Sequence, residues 1–119
     1  MKINTTYTLE TGSTLGNAIA KIKLNRVRTV IIVKNNKVIG VISEGDLLKA
    51  FMKGANTRNL VDQFINIEFS YLNEKDFEMA KNIIITKNIN LLPIVNKDME
   101  LIDCITIYDI FDEYLNFDH

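Results

Sequence analysis

Two short segments of this chain place a hydroxyl side chain three residues before an aspartate. They are Ser43/Asp46 and Thr106/Asp109, and each follows an apolar run of strand character. The first N–H groups of a helix are unpaired and lie at the positive end of its dipole, which suits a phosphate. A carboxylate one turn later can accept hydrogen bonds from vicinal hydroxyls. The residue types therefore suit the phosphate and ribose of a nucleotide.

The same spacing has a second interpretation that needs no ligand. A Ser or Thr at the N-cap of a helix, followed three residues later by an acid, resembles a capping box. Two features favour a further role: the acid is Asp and not the longer Glu in both copies, and the motif recurs at the same joint. Capping and binding are compatible, because the hydroxyl can cap while the carboxylate faces outward. Both interpretations stay open from sequence.

The motif recurs because the chain contains an internal repeat. Residues 18–33 share their apolar pattern with residues 80–95, 62 positions on, and residues 38–48 align with residues 101–111 at an offset of 63. A unit of about 60 residues present twice predicts a pseudo-two-fold module with a cleft where the copies meet. We expect residues 1–58 to form repeat 1 and residues 59–119 to form repeat 2, together one globular module.

Each repeat is predicted to run strand, helix, strand, strand, helix. The predicted fold class is α+β, with two pseudo-two-fold-related β-α-β-β-α repeats packed through their small sheets. Asn35-Asn36 predicts a tight hairpin, since asparagine tolerates positive φ. In repeat 1 we expect strands over residues 7–10, 29–34 and 38–42 and helices from Ser13 or Thr14 and over 44–53. In repeat 2 we expect an extended piece over residues 67–72, strands over 91–96 and 100–105, and helices over 75–87 and 107–117.

Composition indicates a soluble globular protein. The chain has 119 residues, of which 47% are hydrophobic, and a single cysteine, Cys104, which we expect to be a buried thiol. We expect no secretory leader, and no apolar run reaches the ~20 residues that a membrane span needs. These features predict a cytoplasmic location and no membrane partner.

Charge is divided unevenly between the two halves. Residues 1–58 carry ten basic and three acidic side chains, a net charge of +7, and residues 59–119 carry four and twelve, a net charge of −8. The basic half could favour an anionic ligand, or opposite halves could attract each other in an antiparallel homodimer, or both could be solvated faces. The apolar residues crowding the motif helices also predict a homodimer. We expect no nucleic-acid partner, because the basic residues are not interleaved with stacking aromatics.

The sequence predicts no enzyme. It contains no legible nucleophile–base pair, no His/Cys/Asp cluster with metal-ligand spacing and no phosphate loop. We therefore expect no catalytic residue, no metal and no cofactor. His119 has no assigned role.

The chain resembles the CBS-domain pair, also called the Bateman module. The resemblance lies in the strand pairs of both copies, in Gly40-Val-Ile-Ser43-Glu-Gly-Asp46 and Cys104-Ile-Thr106-Ile-Tyr-Asp109, and in Pro93 near the opening of its strand. It implies a regulatory module that binds an adenosyl ligand (AMP, ADP, ATP or S-adenosylmethionine) between the repeats and controls an attached or partner enzyme. The alternatives are a structural dimerisation module without ligand, or the regulatory piece of a sugar-nucleotidyltransferase-type enzyme.

The resemblance also implies roles for individual residues. Ser43 and Thr106 would contact phosphate or ribose, and Asp46 and Asp109 would bind the ribose hydroxyls. Backbone groups of Thr8 and Ser70 would meet the base. The base would be walled by Arg28, Thr29 and Ile31 in one site and by Asn90, Leu91 and Pro93 in the other.

The two copies differ at three positions that bear on a ligand. Asp103 stands where repeat 1 has Gly40, and Tyr108 stands where it has Gly45. Glu44 adds a carboxylate beside the first phosphate position, which would favour a nucleoside or a metal-bridged polyphosphate over AMP. We nevertheless expect the Ser43/Asp46 site to bind an anionic ligand better, because Arg28 and the basic half lie there.

Overall fold

The computed structural model describes residues 5–117, which fold into two small sheets, each packed against its own pair of helices. Strand β1 pairs parallel with β2, which pairs antiparallel with β3, while β4 and β5 form a separate antiparallel pair. The predicted α+β fold is confirmed. The elements are β1 (Thr8–Glu10), α1 (Leu15–Asn25), β2 (Thr29–Lys34), β3 (Lys37–Ser43), α2 (Glu44–Met52), α3 (Phe77–Lys87), β4 (Leu91–Val95), β5 (Leu101–Thr106) and α4 (Ile107–Phe117).

The predicted hairpin forms between β2 and β3. Asn35 and Asn36 have φ of 52° and 66°, the left-handed values that a two-residue hairpin turn requires and asparagine tolerates. The longer turn between β4 and β5 is held instead by the Asn96 side chain, whose Oδ1 accepts the Asp98 and Glu100 N–H groups. Each hairpin sets the register that delivers its second strand to a helix start.

Alternation along the strands explains how the two repeats pack. In β2, Val30 and Ile32 face α1 and α2, while Ile31 and Val33 enter a separate core with β4 and β5. In β4, Leu92 and Ile94 likewise face α3 and α4. Because successive side chains of a strand point to opposite faces, each sheet has one face for its helices and one for the other repeat.

The extended piece predicted over residues 67–72 is not a strand. The structure reduces it to one parallel bridge, between Leu72 and Ile94. The Leu72 N–H donates to the Pro93 carbonyl over 2.9 Å, and the Val95 N–H donates to the Leu72 carbonyl over 2.8 Å. The next bond in this parallel pattern would come from the N–H of residue 93, which proline lacks. The ladder therefore ends there.

The segment that joins the repeats packs on repeat 1. Val61 is fully buried in the core formed by α1 and α2, and Phe64 and Ile65 pack against it. The Leu15 N–H donates to the Asn59 carbonyl over 2.8 Å. The predicted division between residues 58 and 59 stays a prediction. Within residues 5–117, no helix has the length and apolar character to cross a membrane. Residues 1–4 and 118–119, His119 included, lie outside the described part.

Candidate functional site

A cleft of about 580 Å³ opens between the two repeats. Repeat 1 contributes the start of β2 and the junction of β3 with α2, and repeat 2 contributes residues 66–70 and the junction of α3 with β4. The volume falls in the range of about 300–1,000 Å³ that is typical of small-molecule sites. The cleft joins a helix start to backbone from the other repeat, so a ligand there would touch both.

Seven of the twelve predicted site residues line this one cleft. We expected the residues that open β2 and those that open β4 to wall separate sites, but the structure puts both groups on the same cleft, since it borders both strand starts. The seven are Arg28, Thr29, Ser43, Asp46, Ser70, Asn90 and Leu91.

Five predicted residues lie elsewhere. Ile31 and Pro93 are fully buried, because each occupies a central strand position, and so neither side chain can wall a base directly. Thr8 lies on β1, where its hydroxyl contacts the Thr5 carbonyl over 3.4 Å. Thr106 and Asp109 form the matching motif of repeat 2 and are not among the residues that line this cleft.

Ser43 caps α2 and exchanges hydrogen bonds with Asp46. The Ser43 N–H donates to Asp46 Oδ2 over 2.9 Å, and the Asp46 N–H donates to Ser43 Oγ over 3.1 Å. This is a complete capping box. Asp46 is still half-exposed and borders the cleft. Thus the capping role is observed, and it leaves the carboxylate positioned beside the space that a ligand would fill.

Thr106 and Asp109 repeat this geometry at the start of α4. The Thr106 N–H donates to Asp109 Oδ2 over 2.8 Å, and the Asp109 N–H donates to Thr106 Oγ1 over 3.2 Å. Thr106 Oγ1 also lies 3.2 Å from Asp109 Oδ2. Thr106 is only 3% exposed. Thr106 is therefore buried, whereas Asp109 is half-exposed, as Asp46 is.

Pro93 shapes the cleft through the backbone. Because it has no N–H, it cannot bond the carbonyl of Ser70, the next acceptor along the parallel bridge. In repeat 1 the pairing of Thr8 with Ile31 places the Ile31 N–H on the carbonyl of Tyr7. Ser70, which lines the cleft, thus keeps a carbonyl that β4 does not use. A base amino group could donate to it.

Sequence reasoning missed six cleft residues from repeat 2, and three of them bring charge or an aromatic ring. Lys87 ends α3 and brings a second basic group beside Arg28, while Glu68 adds a third carboxylate to Glu44 and Asp46. Phe69 brings an aromatic ring. These side chains lie far along the chain from the Ser43/Asp46 motif. The signal that could have found them was the pseudo-two-fold symmetry, which brings the end of one repeat's first helix to the other repeat's motif.

The substitution of Gly40 by Asp103 has a packing cause. The backbone of residues 65–66 crosses β3 at Gly40, where the Val41 N–H donates to the Asn66 carbonyl over 3.1 Å, so a Cβ would collide with Ile65 and Asn66. Asp103 in β5 instead forms an ion pair with Lys75 at 3.3 Å.

We expected a buried thiol at Cys104, and the structure leaves it half-buried, packed against the core between the two sheets. Burial raises its pKa to about 12, and the charges of Asp103 and Asp109 add to the effect. The group therefore stays protonated near neutral pH and is a poor nucleophile. Among the described residues, no three His, Cys, Asp or Glu side chains are arranged to hold a metal ion.

Comparison with known proteins agrees with this architecture. Residues 3–53 match the family model of the CBS domain. No curated protein matches the chain. A solved structure of a provisionally assigned acetoin utilization protein (AcuB) from Vibrio cholerae shares 24% identity at a TM-score of 0.81, over 93% of this chain and 84% of that one. Residues 3–53 thus match the CBS domain, and the chain has the fold of a CBS-domain pair, as its sequence predicted.

Two other solved structures of this fold were determined with a nucleotide. The CBS domain protein PAE2072 from Pyrobaculum aerophilum, complexed with AMP, shares 21% identity at a TM-score of 0.72, over 92% of this chain and 90% of that one. CBSX2, in complex with AMP, shares 18% identity at a TM-score of 0.77, over 94% of this chain and 89% of that one.

Proposed function

We propose that this chain is a regulatory module that binds an adenosyl ligand in the cleft bordered by Ser43 and Asp46. The observation that carries the proposal is that a capped helix start with a half-exposed carboxylate faces backbone from the other repeat across a cleft of about 580 Å³. The AMP complexes of PAE2072 and CBSX2, which share the fold, support an adenine nucleotide as the ligand.

Each part of an adenosyl ligand has a matching group in the cleft. The ribose hydroxyls would donate to Asp46, and a phosphate would meet the N–H groups at the start of α2. The base would lie near Thr29 and Leu91, with its amino group donating to the Ser70 carbonyl and its face near Phe69. We propose that this arrangement binds and positions a ligand, and that the chain acts as a sensor.

Cleft electrostatics bear on which adenosyl ligand is preferred. Two basic side chains, Arg28 and Lys87, share the cleft with the three carboxylates of Glu44, Asp46 and Glu68. Lys49 and Lys53 line a second groove of about 250 Å³ that also borders Asp46. A monophosphate must therefore be neutralised by Arg28 and Lys87 against nearby carboxylates, while a positively charged or metal-bridged ligand would find the carboxylates favourable.

A thermal-shift screen tests the proposal. Adenosine, AMP, ADP with Mg²⁺, ATP with Mg²⁺ and S-adenosylmethionine would each be added at millimolar concentration. A ligand at 100 times its Kd stabilises the folded state by about 2.7 kcal/mol, which is readily measured. Native mass spectrometry of freshly purified protein would identify a retained ligand. If none of the five shifts the melting temperature and none co-purifies, the adenosyl proposal is wrong.

We also propose that the chain forms a homodimer, because the outer faces of α2 and α4 expose apolar side chains. Leu48 and Met52 on α2 are 61% and 86% exposed, and Phe111 and Leu115 on α4 are 51% and 64% exposed. Faces of this kind usually mark an interaction surface. Lys49 and Lys53 flank the first face, and Asp112 and Glu113 flank the second. We propose an antiparallel dimer in which α2 packs on the partner's α4, in the cytoplasm.

A further inference from the structure

The first extended segments of the two repeats correspond in a register that the structure sets. Leu9 pairs with Ile32, and Leu72 pairs with Ile94 at the matching strand position. Both leucines are buried. This register matches Ser70 with Tyr7, since each precedes its leucine by two residues. Ser70 borders the cleft at the Ser43/Asp46 motif, and the matching residue at the Thr106/Asp109 motif is therefore Tyr7.

Tyr7 packs on the core between the two sheets together with Cys104, which lies on the strand that leads to the Thr106/Asp109 motif. Burial raises the pKa of the Tyr7 phenol, and the charges of Cys104 and Asp109 raise it further. Tyr7 is half-buried, whereas Tyr71, Tyr108 and Tyr114 are 42–51% exposed. By the matching register of the two repeats, the Tyr7 ring therefore takes the place at the second motif that the small Ser70 side chain takes at the first.

Asn25 holds the Tyr7 segment in place. Its Nδ2 donates to the Thr6 carbonyl over 3.2 Å and to the Thr29 carbonyl over 2.9 Å, and its Oδ1 accepts the Val27 N–H over 2.9 Å. Lys21 Nζ donates to the Thr5 carbonyl over 2.6 Å. The residue of α3 that corresponds to Asn25 is Lys87, which is exposed and lines the first cleft. Asn25 thus binds backbone carbonyls beside the second motif, whereas Lys87, at the matching position of α3, brings a positive charge to the cleft at the first motif.

Tyr108 adds bulk on the other wall. It takes the position of Gly45, which lines the cleft at the Ser43/Asp46 motif. A Cβ added to Gly45 would have only Ser43 Oγ nearby, so that wall of the cleft is open. Its ring lies edge-on to Phe111, with centroids 6.3 Å apart. Two small residues at the first cleft, Gly45 and Ser70, are thus replaced by two tyrosines at the second.

We propose that the chain closes its second cleft with its own Tyr7 and Tyr108, so that each chain takes one ligand and the Thr106/Asp109 motif serves only to cap α4. The stoichiometry rests on the proposed function, but the closure does not. The Asn25 and Lys21 bonds make Tyr7 a fixed wall of the module, and a sensor built this way reports on a single site.

Titration calorimetry with the best ligand of the thermal-shift screen tests the stoichiometry. The wild-type chain should bind one ligand, and the double variant Tyr7→Ser/Tyr108→Gly should bind two. Tyr7→Phe keeps the ring and should stay at one. Thermal unfolding of each variant confirms that it is folded. Two ligands on the wild-type chain, or a folded double variant that still binds one, would overturn the closure.

Nitration by tetranitromethane tests closure without any ligand. The chain has four tyrosines, and peptide mapping gives a rate for each. Tyr7 should react several-fold more slowly than Tyr71, Tyr108 and Tyr114, and this protection should be lost in Asn25→Ala. Nitration of Tyr7 as fast as Tyr108 in the wild-type chain would overturn the proposal. A wild-type chain that binds no ligand but protects Tyr7 would refute the proposed function and leave the closure supported.

Discussion

Ser43 and Asp46 hold each other through two reciprocal hydrogen bonds, of 2.9 and 3.1 Å, and both border the cleft between the repeats. Thr106 and Asp109 form the same pair at 2.8 and 3.2 Å and are not among the residues that line that cleft. The Thr106/Asp109 motif is therefore an internal control for the Ser43/Asp46 motif, because it has the same capping geometry but does not line this cleft. A comparison of the two separates stability from ligand affinity.

Asp46→Ala should weaken the binding of a ribonucleotide by about 1.5–3 kcal/mol, which is the usual contribution of hydrogen bonds to a charged group. The 2′,3′-dideoxy analogue should lose much less, because it lacks the hydroxyls that donate to Asp46. Both affinities are measured by titration calorimetry. Asp109→Ala is the matched control and should leave affinity unchanged.

Unfolding measurements complete this comparison. Each variant loses a capping partner, so each should lower the free energy of unfolding by about 0.5–2 kcal/mol. Equal losses of affinity for the ribonucleotide and its dideoxy analogue would show that Asp46 is only a capping residue. Loss of binding in Asp109→Ala alone would move the site to the second motif.

Lys87→Gln should weaken AMP more than adenosine, since the amine contributes through charge. An exposed unit charge 4 Å from a phosphate is worth about 1 kcal/mol in water, and salt reduces this further. The difference between AMP and adenosine should therefore shrink as NaCl is raised. Lys97→Gln, in the exposed turn between β4 and β5, is the control and should change neither affinity. Equal weakening of both ligands would mean that Lys87 acts by shape and not by charge.

Gly40→Ala should destabilise the fold by about 1–3 kcal/mol, the usual cost of overpacking. The added Cβ would meet the side chain of Ile65 and the backbone of Asn66, and the backbone cannot withdraw without breaking its bonds to Val41. Asp103→Ala, at the matching position of β5, should cost less than Gly40→Ala, because it removes an exposed ion pair and one local hydrogen bond from the Cys104 N–H without any steric collision. Urea unfolding measures both. If Gly40→Ala leaves the free energy of unfolding unchanged, residues 65–66 can move to accommodate the added Cβ.

The raised pKa of Cys104 should make the folded state less stable at alkaline pH. The thiol pKa is raised from 9.0 to about 12 in the folded chain. The folded state therefore keeps a proton that the unfolded state loses, and its stability should be constant below pH 9 and fall as pH rises from about 9 to 12. At about 1.4 kcal/mol per unit, this fall is at most about 4 kcal/mol.

Cys104→Val isolates the contribution of the thiol, because Val41 occupies the same place in repeat 1. The variant should be as stable as the wild type near neutral pH and should lose less stability above pH 9. Tyr7, whose pKa is also raised, should supply a remaining fall above pH 10 in both proteins. Parallel pH profiles for wild type and Cys104→Val would contradict the burial of this thiol.

Much of the fold was predictable because it depends on local patterns. The Asn35-Asn36 hairpin followed from the residues that tolerate positive φ, and α4 has the predicted bounds, Ile107–Phe117. The β-branched apolar run Thr29–Lys34 predicted a buried strand, although it did not show that one face of the strand packs against the other repeat.

The site was less predictable because it depends on contacts between distant segments. Lys87 and Glu68 have ordinary surface positions in the sequence, and only the packing of the repeats brings them to Ser43 and Asp46. The strand predicted over residues 67–72 was wrong because one missing N–H, at Pro93, outweighs the strand propensity of six residues. The register of this bridge, which matches Ser70 with Tyr7, was not legible from the sequence.

The antiparallel dimer is tested by exchanging charges between the helices. Sedimentation equilibrium at low and physiological salt should show a dimer for the wild type, and Leu48→Ser should weaken it by removing apolar contact area. Lys49→Glu/Lys53→Glu should weaken it through repulsion from Asp112 and Glu113 of the partner helix. Adding Asp112→Lys/Glu113→Lys to the same chain should restore it, since each helix then again faces the opposite charge.

The alternative pairing gives a different result with the same variants. If α2 packed on the partner's α2, lysines would face lysines in the wild type, and Lys49→Glu/Lys53→Glu would replace one repulsion by another without changing the affinity. Low salt would then weaken the wild-type dimer, whereas opposite charges across α2 and α4 should make it stronger as salt falls. A chain that stays monomeric at tens of micromolar in both salts would end the dimer proposal.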